Sequence, residues 1–164
     1  MSIAAARQQI HDALLSYCRG IDRLDPEAVS AAFHPGAWLS DYGADSMPIE
    51  DFVPYALASL EKRFRATQHR ISNTTIEFDD DGGALVETYV LAFHVQARDS
   101  GEVLQTFNGR YIDRFEERGG RWKIVSRTLR SDWSTVEPMG APMPGAWKMS
   151  GRGGTPDPIW PDHQ

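Results

Sequence analysis

The residue pattern of the chain changes its period near residue 69, and this change limits the possible folds more than any other feature. Before it, apolar residues recur every three or four positions, as on one face of a helix. After it, apolar and polar residues alternate in segments separated by short turns rich in Asp and Gly. Such alternation is typical of strands, and strands joined by short turns pair antiparallel. The predicted strands span residues 69–78, 84–97, 103–116 and 122–133.

A first helix is predicted from its N-cap Ser2 to about residue 20. Asp22 follows this helix, close to Gly20, which weakens a helix. We therefore expect the Asp22 carboxylate in a corner between two helices, beside an apolar face. The residues of that face fall at spacings of four, three and four, at Ile10, Leu14, Tyr17 and Ile21.

Two further helices are predicted before the strands begin. Asp25 and Pro26 suit the N-cap and the first position of a short helix, which the Pro and Gly of residues 34–36 end. A short strand over residues 37–42 and a loop lead to a third helix that starts near Pro48. Its apolar stripe has a regular helical period and consists of Ile49, Phe52, Val53, Ala56, Leu57, Leu60 and Phe64.

Helices followed by consecutive strands predict an α+β fold. We expect a curved, mostly antiparallel sheet that forms a cone-shaped barrel, with the three helices over its concave face and a pocket inside. Gly109 lies within a predicted strand and is a candidate for a bend or bulge. The cone domain is predicted to cover residues 1–134, and the tail over 135–164 holds six of the ten prolines. Three apolar residues are expected to anchor the tail to the cone mouth or to a neighbouring subunit: Trp147, Met149 and Trp160.

The strand over residues 84–97 carries apolar residues on both of its faces. Three helices cover one face only, so the other face needs a partner subunit. The same pattern recurs on the next strand, where we expect Phe107, Tyr111 and Phe115 to add to the face opposite the helices. The sequence therefore predicts a homo-oligomer with closed symmetry.

Composition argues against several classes of function. The net charge is −6 and no basic patch is present, so a nucleic acid is not an expected partner. The single Cys allows no intrachain disulfide and fits a reducing compartment. No segment resembles a signal peptide or a membrane span, so we expect a soluble, cytoplasmic protein that does not associate with a membrane.

Asp22, His69 and His94 are the residues whose combination suggests chemistry. Taken singly, Asp22 suits the capping of a corner, His69 a surface position and His94 the core. Together they make a better site, because a carboxylate bonded to one imidazole nitrogen raises the basicity of the other. Such a His in an apolar pocket is suited to removing a proton from carbon. Tyr42 and Tyr17 are candidate donors that assist a leaving hydroxyl or polarise a carbonyl.

Other chemistries have weaker support in the sequence. The His and acidic residues show no metal-ligand spacing, so no metal is expected. Cys18 is more typical of a small buried apolar residue than of a nucleophile. Arg127 and Arg130 fall on opposite faces of the last strand, so at most one of them faces the pocket.

Several short motifs of this sequence occur together in one known family. They are Ile21-Asp22, Asp41-Tyr42, residues 47–53, Thr67-Gln68-His69, His94 and residues 120–124. With this set, residues 10–134 resemble the SnoaL-like branch of the nuclear transport factor 2-like superfamily, and within it scytalone dehydratase-like proteins. Each motif alone is weak evidence for this family, whereas the set as a whole is specific for its fold.

The resemblance implies a dyad of Asp22 and His69, with His94 and Tyr42 binding the substrate carbonyl or an active water. It also implies loss of water without a cofactor or metal, and a trimer in preference to a dimer. Tyr17, five residues before Asp22, resembles a tyrosine of bile-acid dehydratase-like relatives.

Three parts of the sequence depart from the pattern of that family, and one of them is the tail. Ile21 stands where the family has a tyrosine just before the Asp. Gly109 and Tyr111 stand where it has a Ser and an Asn on the third long strand. These departures concern the substrate more than the dyad.

We therefore predict a cofactor-independent acid–base enzyme, a dehydratase acting on a polycyclic or aromatic hydroxy-ketone. An isomerase of steroid or polyketide type with the same dyad is one alternative. A non-catalytic ligand-binding or structural subunit resembling a ring-hydroxylating dioxygenase β subunit is another. The predicted catalytic residues are Asp22, His69, His94, Tyr42 and Tyr17. The predicted substrate-binding residues are Ile21, Phe52, Val90, Asn108 and Arg127.

Overall fold

Three helices and six strands make up the part of the chain that the structure, a computed structural model, describes: residues 1–141 and 143–146. The predicted tail anchors Trp147, Met149 and Trp160 lie outside these residues. The elements in chain order are α1 (Ile3–Arg23), α2 (Pro26–Ala31), β1 (Phe33–Ser40), β2 (Met47–Pro48), α3 (Ile49–Arg63), β3 (Ala66–Phe78), β4 (Gly83–Arg98), β5 (Gly101–Arg118) and β6 (Arg121–Pro138).

The strands form one curved, unclosed sheet in the order β2-β1-β6-β5-β4-β3. All neighbouring pairs are antiparallel except β1 and β6, which are parallel. The three helices cover the concave face, and the predicted α+β cone is confirmed. Within the described residues, the structure contains no helix with the length and apolarity that a membrane crossing requires.

The first helix ends later than the sequence predicts, and this moves Asp22 into a helix. α1 begins at the predicted N-cap Ser2 and continues to Arg23, where Leu24 caps it in a left-handed conformation with a φ of 56°. Gly20 does not end the helix. A Cβ at Gly20 would lie 2.7 Å from the backbone nitrogen of Val29, so this glycine lets α1 and α2 approach closely. Asp22 therefore lies in the last turn of α1 and not in a corner beyond it.

Other element boundaries also differ from the predicted ones. β1 starts at Phe33 and so includes the Pro and Gly that were expected to end the second helix; Gly36 has a φ of +75° there. The predicted loop before the third helix contains the short strand β2, which pairs with β1. β6 continues past residue 133 to Pro138, because its end pairs with the start of β5. The division into a domain and a tail at residue 134 stays a prediction.

Successive residues of β4 lie on opposite faces of the sheet. Val86, Val90 and Ala92 are buried beneath the helices, whereas Leu85 and Tyr89 are 45% and 43% exposed on the opposite face. The predicted apolar residues on both faces of this strand are therefore confirmed.

The prediction for the neighbouring strand is wrong. Tyr111 pairs with Thr88, and Phe115 pairs with Ala84, so these aromatic residues share the buried face of β4. Phe107 follows the same alternation and packs against the core. The register of the β4–β5 pair determines which face of the sheet these residues occupy. The alternation within a single strand does not.

Gly109 marks the bend that was predicted for β5. The register of β5 and β6 shifts between Asn108 and Gly109, which is a β-bulge. A Cβ at Gly109 would lie 2.1 Å from the carbonyl oxygen of Arg130 and 2.7 Å from the Phe107 ring. β6 therefore approaches β5 as closely as it does only because this position lacks a side chain.

We expect Gly109→Ala to lower the free energy of unfolding by about 1–3 kcal/mol, because the methyl group overlaps backbone atoms that cannot turn away. Urea unfolding followed by circular dichroism measures this. Gly140→Ala is the control, since a Cβ there meets nothing within 4 Å. Equal stability of the two variants would contradict the close approach.

Candidate active site

A cavity of about 570 Å³ lies between the helices and the concave face of the sheet. Residues from α1, α3, the segment after β1 and strands β3 to β6 line it. Its size is typical of a site for a small organic ligand. Six residues of the predicted site lie in its lining: Tyr17, Ile21, Tyr42, Phe52, His69 and His94.

The predicted pair of Asp22 and His69 is in direct contact. Asp22 Oδ1 lies 2.7 Å from His69 Nδ1, and Asp22 Oδ2 accepts a 2.8 Å hydrogen bond from the backbone N–H of His69. Both side chains are mostly buried, with 18% of Asp22 and 10% of His69 exposed. An ionised carboxylate only accepts, so Nδ1 carries the proton in this contact. In the neutral ring, Nε2 then has a lone pair with which it can accept a proton.

His94 lies next to this pair on β4. Its ring meets the His69 ring edge to face, with centroids 5.4 Å apart. On its other side the ring contacts Phe64, which follows α3, at a centroid distance of 4.8 Å. His94 is therefore placed to contact a ligand that reaches His69.

Two phenol groups lie at another part of the same cavity. The hydroxyl oxygens of Tyr17 and Tyr42 are 3.2 Å apart, so one donates to the other. Burial raises the pKa of both phenols. Both therefore stay protonated at neutral pH, and one hydroxyl proton of the pair is left to donate to a ligand.

The position of Tyr42 depends on the residue before it. Asp41 has a φ of 65°, a left-handed conformation that Asp adopts more readily than most residues. Its carboxylate forms an ion pair with Arg130 of β6. The chain leaves β1 through this fixed turn, which directs Tyr42 against Phe52, with ring centroids 4.8 Å apart.

Arg127 does not line the cavity, although the sequence analysis placed it among the substrate-binding residues. It is fully buried and pairs with the equally buried Asp113 through two 2.7 Å hydrogen bonds. Its guanidinium carbon lies 4.3 Å from the ring centroid of Tyr17 and 4.0 Å from that of Tyr111. Arg127 therefore packs behind the cavity-lining tyrosines, where its positive charge is neutralised.

Val90 and Asn108 also lie outside the cavity lining. Val90 is on the correct face of β4 but is buried in the hydrophobic core. Asn108 pairs with Leu91 and with Trp133, and Trp133 is 57% exposed on the opposite face of the sheet. The side chain of Asn108 is therefore on the face away from the helices.

The cavity also contains residues that the sequence analysis did not assign to it. Their signal was their position on the same strand faces as His94, or at the end of α3, but only the strand register brings them together. They include Arg63, Gln105, Phe107, Tyr111, Ser131 and Ser134. Within residues 1–141 and 143–146, no three or more His, Cys, Asp or Glu side chains converge in a metal-binding arrangement.

The chain belongs to the SnoaL-like domain family, because residues 2–128 match that domain. Its fold is that of the nuclear transport factor 2-like superfamily, as the resemblance predicted. The chain matches no curated protein.

Several solved structures share this fold. One is the "Putative Scytalone Dehydratase" from Novosphingobium aromaticivorans, at 25% identity and a TM-score of 0.69, covering 85% of this chain and 97% of that chain. A second is the hexachlorocyclohexane dehydrochlorinase LinA-type3 from Novosphingobium barchaimii, at 18% identity and a TM-score of 0.73, covering 87% of this chain and 97% of that chain.

A third is the β subunit of a "putative aromatic-ring-hydroxylating dioxygenase" from Novosphingobium aromaticivorans. It is 22% identical, with a TM-score of 0.61, and the match covers 79% of this chain and 91% of that chain. The second and third structures are similar to this chain in fold.

Cys18 is expected to resist modification in the folded protein. Burial raises the pKa of its thiol to about 12, and the positive charge of Arg127 only partly opposes this. At pH 8 roughly one thiol in ten thousand is then ionised, and the reactive form is the thiolate. Labelling with iodoacetamide should be negligible for the native protein and complete in denaturant. Native labelling at the denatured rate would contradict the burial of this residue.

Proposed function

We propose that this protein is a cofactor-independent lyase, a dehydratase in which His69 acts as the general base. The observation that carries the proposal is the contact of Asp22 with Nδ1 of His69 at the wall of a cavity. Nε2 of His69 removes a proton from the carbon next to a carbonyl group. The electron pair of that C–H bond forms a double bond as the C–O bond to the hydroxyl on the neighbouring carbon breaks. The proton taken up by Nε2 passes to that hydroxyl, which leaves as water, and His69 returns to its neutral form.

The two phenols and His94 supply the acid side of this reaction. Tyr17 and Tyr42 are neutral donors, so they stabilise negative charge that develops on the carbonyl oxygen. The Tyr17–Tyr42 hydrogen bond leaves one phenol proton for the substrate. His94 lies beside the base and is suited to holding the leaving hydroxyl.

The lining of the cavity supports an apolar or aromatic substrate. Ile21, Phe52, Phe107 and Leu129 form much of the wall around the polar groups. A polycyclic or aromatic hydroxy-ketone fits such a site, because its rings contact apolar side chains and its oxygens meet a few placed donors.

The similar structures support elimination as the reaction class. One is described as a "Putative Scytalone Dehydratase", and another is a hexachlorocyclohexane dehydrochlorinase. An isomerase of steroid or polyketide type would use the same base and return the proton to another carbon of the substrate, with no hydroxyl lost.

We expect His69→Ala and Asp22→Asn to lower turnover about 10²- to 10⁴-fold, because one removes the base and the other its orientation. The measured reaction is the conversion of 3-hydroxy-1-tetralone and related hydroxy-ketones into products with a new ultraviolet absorption. His11→Ala, an exposed residue of α1, is the control.

Unfolding curves of all variants should accompany these assays, because Asp22 also connects α1 to β3. Turnover that is equal in the parent and in both dyad variants would remove the proposed base. A product that keeps its hydroxyl and shifts its double bond would favour the isomerase.

A non-catalytic role as a structural or ligand-binding subunit is the second candidate function. The fold similarity to a dioxygenase β subunit and the exposed apolar face of the sheet favour it. Co-purification that depends on a larger iron-containing subunit would support this role. A closed homo-oligomer with turnover of its own would exclude it.

We also propose that the face opposite the helices forms a homo-oligomer, a trimer in preference to a dimer. Four large apolar side chains on this face are 43–57% exposed: Trp38, Leu85, Tyr89 and Trp133. Apolar patches of this kind usually mark interfaces.

Light scattering at micromolar concentration should give a closed oligomer for the parent. Tyr89→Glu should dissociate it, because the substitution places a charge in the contact. Leu15→Glu, an exposed residue of α1, is the matched control and should leave the mass unchanged. A monomeric parent would contradict the proposed interface.

A further inference from the structure

We propose that the substrate carries a carboxylate, which Arg63 binds at the mouth of the cavity. The inference rests on the proposed function for the reacting end of the substrate, and it concerns the opposite end. It names the substrate class more closely, as an aromatic or polycyclic hydroxy-ketone acid.

Within the part of the chain that the structure describes, the charged residues of the cavity wall leave the cation of Arg63 without a counter-charge. Among the described residues that line the cavity, Asp41 and Arg63 are the only members of the group Asp, Glu, Lys and Arg. Asp41 is neutralised by Arg130. Arg63 forms no ion pair with any described residue, and its guanidinium lies over the ring of Phe64 at 4.9 Å from the centroid. An anionic group in the cavity would therefore find a partner at Arg63.

The end of α3 holds Arg63 at a fixed place on the rim. The backbone N–H of Arg65 donates to the carbonyl oxygen of Val95 on β4, over 2.8 Å. The side chain of Arg65 pairs with Glu102 of β5. Helix and sheet are thus joined two residues beyond Arg63, so its backbone does not move freely away from the mouth.

A continuous series of ring contacts connects this rim to the base. The guanidinium of Arg63 covers Phe64, Phe64 contacts His94, and His94 meets His69. One extended ligand lying along these side chains would reach from Nε2 of His69 to the cation. Arg63 and His69 thus suit opposite ends of the same molecule.

The cavity wall at the end of the sheet near His94 includes polar side chains from β5 and β6. Gln105 pairs with His94 on one side and with Val136 on the other, which places it at this end of the sheet. Ser134 of β6 pairs with Phe107, so its side chain is on the same face as Gln105, and it also lines the cavity. Their hydroxyl and amide groups supply hydrogen bonds to a carboxylate whose oxygens also face a guanidinium fork.

The simpler explanation of Arg63 is a solvated cation that balances the dipole at the end of a helix. Lys62 has the same charge and lies in the same last turn of α3, but it does not line the cavity. The two explanations therefore predict different behaviour for these neighbouring residues.

The test compares two probes of equal shape, 2-naphthoate and the neutral 2-naphthamide, by calorimetric titration at pH 7.5. We expect the parent to bind the carboxylate roughly fivefold to tenfold more tightly than the amide, and this preference to weaken as salt is added. Arg63→Gln should lose the preference, and Lys62→Gln should keep it.

His69→Ala separates this inference from the proposed reaction. It should keep the preference for 2-naphthoate even though turnover is lost, so a failure of the dyad leaves the binding result intact. A parent that binds both probes equally, or binds neither, overturns the proposal. Equal effects of Arg63→Gln and Lys62→Gln overturn it as well.

Discussion

The ion pair of Arg127 and Asp113 is the interaction on which the interior of this protein depends. Neither side chain is exposed, and the two hydrogen bonds between them offset part of the cost of removing water from both charges. Removing one partner of such a pair typically costs about 3–5 kcal/mol, because the other charge stays buried. The rings of Tyr17 and Tyr111 pack on the guanidinium, so the back wall of the cavity is built on this pair.

The carboxylate of Asp22 has two structural roles, because it connects α1 to β3 and orients the ring of His69. Both carboxylate oxygens bind one residue, so the last turn of α1 is tied to β3 and the imidazole is held in one orientation. The last turn of α1 is thereby part of the site, and the packing of Gly20 against α2 sets the position of that turn. A change at this helix contact would reach His69 through the position of Asp22.

The fold class and the contact of Asp22 with His69 could be predicted from the sequence, whereas residues whose surroundings depend on strand register could not. Spacing identified the helices, and alternation identified the strands. The resemblance brought Asp22 and His69 together. Alternation does not say which face is buried, so Phe107, Tyr111 and Phe115 were placed on the wrong one. The partner of Arg127 is 14 residues away on the adjacent strand, and Asn108 lies beside a bulge, so neither environment is visible in a local pattern.

The parallel pairing of β1 with β6 has a consequence for how the protein is made. Phe33 lies opposite Ile124, so strands from the two ends of the domain meet in the middle of the sheet. On the ribosome, β1 therefore has no parallel neighbour until nearly all of the domain has been synthesised. The segment that carries Tyr42 is added to the cavity wall at that stage. Such a topology favours slow, late closure, during which the apolar faces of α1 and β4 are open to chaperones and to unwanted association.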